Sequence, residues 1–262
     1  SGNATKWQKF ANSLRLRLLM TAGENINNAG NQFSNIVNSG DIFTSNADNA
    51  VLEYLNSFPN EYPLINLKDG DFNSVRLSKT ALDVMSDNSD PRLSRYFRPN
   101  DDDYDSMKFN VSDDSASYTG AVNGAVPCGK NGSVLGAAYY NISSKSTVDD
   151  LGIDYADGII MTYAEVEFLL AEAAVKGWIG DDIETHYRAG IEASMDYYQV
   201  NYDPYGYTDF TEYYDNSGVA YNTATDIWEQ KWIALFFTGL EPFYETRRWY
   251  VESGMSFDGI PF

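Results

Sequence analysis

Apolar positions recur with helical spacing along several stretches of the chain. In residues 6–20, KWQKFANSLRLRLLM, Trp7, Phe10, Ala11, Leu14 and Leu18 fall at i, i+3, i+4, i+7 and i+11. That spacing predicts an amphipathic helix with one apolar stripe. Lys6, Lys9, Arg15 and Arg17 lie off the stripe, so this basic helix faces either carboxylates or water. The pattern predicts a second helix around 30–38, ended by Gly40, and a short one near 47–56 within a loop-rich stretch. SKTALDVMS at 78–86 opens with a Ser cap and reads as a helix. SDPRLSRYFRP follows, with a turn at Asp90-Pro91 and then a short helix or extended piece.

Two helix pairs close the chain. Thr162 and Glu165 form a T-x-x-E capping box ahead of a helix that runs to Lys176 and stops at Gly177. Asp181 and Glu184 form a second box, and Ile183, Tyr187, Ile191, Met195 and Tyr198 give the next helix its stripe. The linker is only GWIGD, which predicts antiparallel packing. The pair fits tetratricopeptide spacing if Ala164 is position 1. Leu170 and Ala171 then take positions 7 and 8, and Ile183, Tyr187 and Gly190 take 20, 24 and 27. Glu167, where Trp is typical, and Met195, where Pro is typical, depart from that repeat. Asp226-x-x-Glu229 predicts the cap of a helix carrying Trp228, Trp232, Leu235 and Phe236, ended by Gly239. Pro242 suits the first turn of a last helix, stopped at Gly254. Between the N-terminal helices and these pairs, residues 99–158 are rich in Gly, Ser, Asn, Asp and Tyr, and 201–221 form another Tyr-dense loop. Loops this long are functional or disordered. The fold class read from the pattern is mainly α, with tetratricopeptide-like helix pairs at about 162–200 and 225–253 and a long loop-rich excursion at about 99–158.

Composition narrows the function. No apolar run in the 262 residues reaches the length that spans a bilayer. Net charge is −20, from 38 acidic and 18 basic residues, which argues against nucleic acid and an anionic membrane surface as partners. One cysteine, Cys128, excludes an internal disulfide and a cysteine-rich zinc site, and one histidine, His186, leaves little room for a histidine triad. Asp101, Asp103 and Asp105 match the first three ligand positions of an EF-hand, but Ser106 replaces the Gly and Ser112 the Glu, so no metal site is assigned. The 20 Tyr, 14 Phe and 5 Trp, set among small polar residues, suit polar ring-shaped ligands.

Five stretches together resemble the SusD/RagB-like family of outer-membrane nutrient-binding lipoproteins. They are WQKFANSLRLRLLM, SDPRLSRYFRP, MTYAEVEFLLAEAAVKGW, HYRAGIEASMDYY and IWEQKWIALFFTGLEPFYETRRW, in the family's order. The resemblance is closest to the subgroup with the YAEVEFLLAEAA...GW helix. It implies a single SusD-like domain fragment over 1–262, and a lipid-anchored protein at the cell surface. It implies a partner, a SusC-like TonB-dependent transporter, to which an oligosaccharide or peptide is delivered. It implies no catalysis and no cofactor, and membrane association only through an N-terminal lipid that this chain lacks. By the same resemblance the chain lacks the family's N-terminal part, with its first helical repeat, and stops before the C-terminal segment.

The acidic helix at 163–175 then reads as scaffold. Its Glu165 belongs to a capping box, Glu167 and Glu172 lie five apart and share no face, and Glu172 is expected to meet an arginine such as Arg247 or Arg248. Among 38 acidic residues some pair always looks suitable for glycoside hydrolysis, so that signal carries no catalytic assignment. The expected ligand face is built from loop residues: Tyr104, Tyr118, Asn123, Tyr139 and Tyr140 in one set, Tyr202, Tyr205 and Tyr207 in another. The competing reading is that these rings pin their loops to the helices. Trp178, at a helix end, is expected to pack between helices. The leading function is surface binding of an oligosaccharide for import. The alternatives are peptide binding on the same architecture and a helical-repeat adapter without a small-molecule ligand.

Overall fold

The structure, a computed structural model, describes residues 2–54, 59, 75–97, 99, 118–122, 132–133, 135–136 and 157–253. Among them are nine α-helices: α1 (Ala4–Ala22), α2 (Ala29–Ser39), α3 (Lys79–Asp87), α4 (Leu93–Tyr96), α5 (Tyr163–Val175), α6 (Ile183–Tyr197), α7 (Phe210–Asn216), α8 (Ala224–Ala234) and α9 (Glu241–Ser253). Two short strands, β1 (Ala50–Leu52) and β2 (Gly158–Met161), pair with each other. The mainly helical class is therefore as the sequence predicts. The chain divides into two compact units. The first holds Ser1–Val51, Ile159–Tyr197 and Ala220–Met255; the second holds Leu52–Gly158, Tyr198–Val219 and Ser256–Phe262.

The first unit is built around α5, whose residues from Ala164 to Ala173 are all buried. A helix buried on every side needs neighbours on every side. Here α1, α6 and α8 supply them. The α5–α6 pair runs antiparallel: Glu167 meets His186, while Tyr163, one turn earlier, feels Glu192, nearly two turns later. Close approach depends on Gly190, where an added Cβ would come within 2.9 Å of the Phe168 ring. Leu16, Leu19 and Met20 of α1 and Phe33 and Ile36 of α2 complete the core with Val166, Leu169 and Leu170. Gly40 ends α2 at φ 73°, a left-handed conformation open to glycine.

Several local expectations need correction. The buried face of α1 is Ser13, Leu16, Arg17, Leu19 and Met20, whereas Trp7 and Leu18 are 60% and 56% exposed. The helix has apolar residues on two faces, and burial of Arg17 selects the face that the predicted stripe left out. In place of the helix near 47–56 there is a 3-10 turn at Asn46–Asp48, then β1. The cap of α6 is Asp182, which accepts from the Thr185 N–H at 2.9 Å; Asp181 turns to His186 instead. The cap of α8 is Thr223, whose N–H donates to Asp226 at 2.6 Å, so the helix begins earlier than the predicted Asp226 cap. Within the 201–221 stretch, α7 forms behind Asp209, which accepts from the Glu212 N–H at 2.9 Å.

In the second unit, Ser78 caps α3 as predicted, accepting from the Ala81 N–H at 3.1 Å. The strand-like residues bridge Ser78 to Ala121 and Phe97 to Leu135. Asp90 and Arg92 form a fully buried ion pair at 2.6 Å at the turn before α4.

Candidate ligand-binding region

The carboxylates of α5 are structural. Glu165 is held by Arg17 of α1 through two contacts, Nε to Oε1 at 2.5 Å and Nη2 to Oε2 at 2.6 Å. Only half of the predicted capping box forms: Thr162 accepts from the Glu165 N–H, but the carboxylate goes to Arg17. Glu172 lies two turns further along the same face. It accepts from Lys231 of α8 at 2.9 Å and from Arg248 of α9 at 2.6 Å. The arginine partner predicted for Glu172 is thus Arg248. Glu245 of α9 accepts from the same two cations. Burial opposes its charge, but Lys231 and Arg248 outweigh it and draw the Glu245 carboxyl down to about 2. Burial likewise opposes the Lys231 ammonium, and Glu172 and Glu245 more than restore it. On the opposite face Glu167 binds His186 Nδ1 at 2.6 Å. Burial would lower the His186 pKa, yet Glu167 and Asp181 raise it above its ordinary value. Each of the three carboxylates is therefore spent on joining α5 to a neighbour.

The predicted ligand residues fall in different places. Tyr104, Asn123, Tyr139 and Tyr140, with Cys128 and the Asp101–Asp105 run, lie outside the described residues. Tyr118 is 4% exposed, in the core of the second unit. In that conformation it offers no ring face to a ligand. Tyr205 and Tyr207 are half-buried. Tyr207 meets the buried Tyr213 edge-on at 5.5 Å, and Tyr202 lies 6.3 Å from the same ring. These two rings therefore rest against α7, while Tyr207 keeps part of its surface in the open. Tyr205 sits on the 3-10 turn Asp203–Tyr205, with Gly206 following at φ 80°.

The first unit carries two grooves that loop tyrosines do not line. One, of about 350 Å³, runs between the end of α1 and α9 and has Trp178, Tyr244 and Arg247 in its wall. Trp178 packs between helices as expected, 5.6 Å from Phe33. The other, of about 190 Å³, lies beside the first turns of α1, against β1 and β2. Its polar lining is internally matched. Lys9 binds Asp48 at 2.7 Å, and despite partial burial this contact and Thr44 hold the Asp48 carboxyl below its ordinary value. Lys6 donates to the Ala47 carbonyl at 2.8 Å, and Asn49 Oδ1 accepts from the Tyr163 N–H at 2.6 Å. The helical stripe in the sequence puts Trp7 in the core, so the run of Lys6, Trp7 and Phe10 is the signal in the chain that points to this groove.

Residues 1–251 match a SusD-like family model described as starch-binding associating with outer membrane. Solved structures share the fold. An outer membrane protein of Bacteroides vulgatus, described as involved in nutrient binding, is 27% identical with a TM-score of 0.75, over 99% of this chain and 59% of that one. A SusD homolog of Bacteroides fragilis is 23% identical with a TM-score of 0.74, over 99% and 57% of the two chains. A second SusD homolog from that species is 27% identical with a TM-score of 0.64, over 99% and 59%. The chain thus spans less than two thirds of the length of these structures. No curated protein gives a significant match. Among the described residues, no helix is long and apolar enough to cross a membrane.

Proposed function

The chain belongs to the SusD-like family, and from that premise we propose that it is an outer-membrane-associated binding protein that holds an oligosaccharide, without altering it, for a TonB-dependent transporter. The observation that carries this reading is the family match over residues 1–251. A second supports the absence of catalysis. The three carboxylates of α5 are each taken by a basic side chain within the bundle, so none of them stands as a general acid or base across a cleft. The ligand face is the loop set Tyr104, Asn123, Tyr139, Tyr140, Tyr205 and Tyr207. Flat rings beside amide groups suit the C–H faces and hydroxyls of sugars.

The test is an affinity-gel and glycan-array screen of the chain beside its Tyr139→Ala/Tyr140→Ala double variant. Binding that the double variant loses supports the reading and its site. Binding that the double variant keeps moves the site away from that loop. Retention of peptides with no glycan retained would replace the oligosaccharide by a peptide.

A further inference from the structure

Trp7 stands at the edge of the core, largely in the open. Its side chain is 60% exposed in a chain whose other four tryptophans are at least half-buried. Yet it is not loosely placed. Phe10 meets it edge-on, centroids 6.0 Å apart at 71°, and Phe10 itself stacks on the buried Phe43 at 6.4 Å and 20°. An indole held this way lines the groove of about 190 Å³. Beside it stand Lys6, Asp48 and Asn49, with Val51 and Ile160 as apolar lining.

Three properties of the groove define what fits it. Its volume is below the roughly 300 Å³ at which complete small-molecule sites begin, which suits one ring of a longer chain. Its lining has one cation and one anion, and Asp48 is already paired with Lys9, so no net charge selects an ion. The chain's net charge of −20 adds a general penalty against anionic ligands. The Lys6 ammonium gives one of its three N–H donors to Ala47, leaving donors for hydroxyl oxygens.

From this we propose that the groove beside the start of α1 is a subsite for one neutral pyranose ring, with Trp7 as the stacking platform and Lys6 as a hydroxyl-binding donor. The proposal rests on the glycan-binding reading above and adds a site to it. The indole of the larger groove is less open: the Trp178 ring is half-buried over Gly23 and Gly30, so closely that a Cβ at Gly30 would come within 2.7 Å of it.

Calorimetric titration of the chain with maltoheptaose, cellohexaose, chitohexaose and mannohexaose, each alone, tests this. For whichever glycan the wild type binds, Trp7→Ala should weaken binding about tenfold or more, and Trp7→Phe should recover most of the loss. Lys6→Ala, which removes an exposed hydrogen bond to the Ala47 carbonyl, should weaken it about two- to fivefold without lowering the melting temperature. Wild-type affinity in both Trp7→Ala and Lys6→Ala would overturn the subsite and leave the glycan-binding function standing. Failure of the wild type to bind any of the four would overturn both. Trp7→Phe as weak as Trp7→Ala, with the fold intact, would also overturn the stacking role.

Discussion

The two compact units bury charge in opposite ways. In the first, charge is shared. Glu172 and Glu245 each accept from both Lys231 and Arg248, and Arg248 also reaches Glu252, which binds Lys176. In the second, Asp90 pairs with Arg92 two residues on, and both side chains are fully buried. A shared network keeps ionic contacts when one member is lost, whereas losing Asp90 takes its carboxylate from a fully buried guanidinium. That contrast locates the weak point of each unit.

The largest effect should follow from breaking the fully buried pair. Asp90→Ala removes the carboxylate from a fully buried guanidinium, and urea denaturation should report a loss of about 3–5 kcal/mol. A loss below about 1 kcal/mol would mean that Arg92 has adequate alternative partners. Next comes acid. The Glu245 pKa is depressed from its ordinary 4.5 to about 2, so the stability it confers is present above pH 4.5 and is lost as pH falls toward 2. That shift corresponds to order 3 kcal/mol, and denaturation curves taken down this window should lose that stability in the wild type but not in Glu245→Gln. Lys231→Met should cost less than Asp90→Ala, about 2 kcal/mol, because Arg248 stays on both carboxylates. An equal or larger cost would break the comparison. The smallest effect belongs to His186. Its raised pKa means that its stabilisation is complete below its ordinary value of 6.5 and disappears as pH rises through the folded value. His186→Gln should lower stability by under about 1 kcal/mol near pH 6 and leave it unchanged near pH 9.

What was legible in the sequence was local or periodic. The α5–α6 hairpin, the glycine ends at Gly40 and Gly177, and the small residue Gly190 under Phe168 all follow from spacing within one or two turns, whereas α8 stops at Ala234, five residues short of the predicted end at Gly239. The Glu172–Arg248 contact was within reach because both residues sit on helices that had to pack. What escaped depends on partners far apart in the chain. Arg17 is buried because Glu165, 148 residues later, is there to receive it, and that contact chooses the buried face of α1. Without it, Trp7 looks like a core residue. The helix α7 carried a readable D-x-x-E signal in Asp209 and Glu212, but the surrounding density of Tyr, Asn and Gly reads as loop. Of the expected ligand rings, Tyr202 and Tyr207 illustrate why composition alone misleads. An aromatic ring serves as well for resting a loop on a helix, as both do against Tyr213, as for gripping a sugar.

The central claim is that the chain binds a neutral glycan and leaves it intact. The most direct measurement is to equilibrate the chain with a defined oligosaccharide panel, quantify the bound ligand at saturation, and recover it for mass analysis. Saturable binding with the glycan recovered at its original mass is the predicted result. Shortened products, or saturable binding of peptides with no glycan bound, would contradict it.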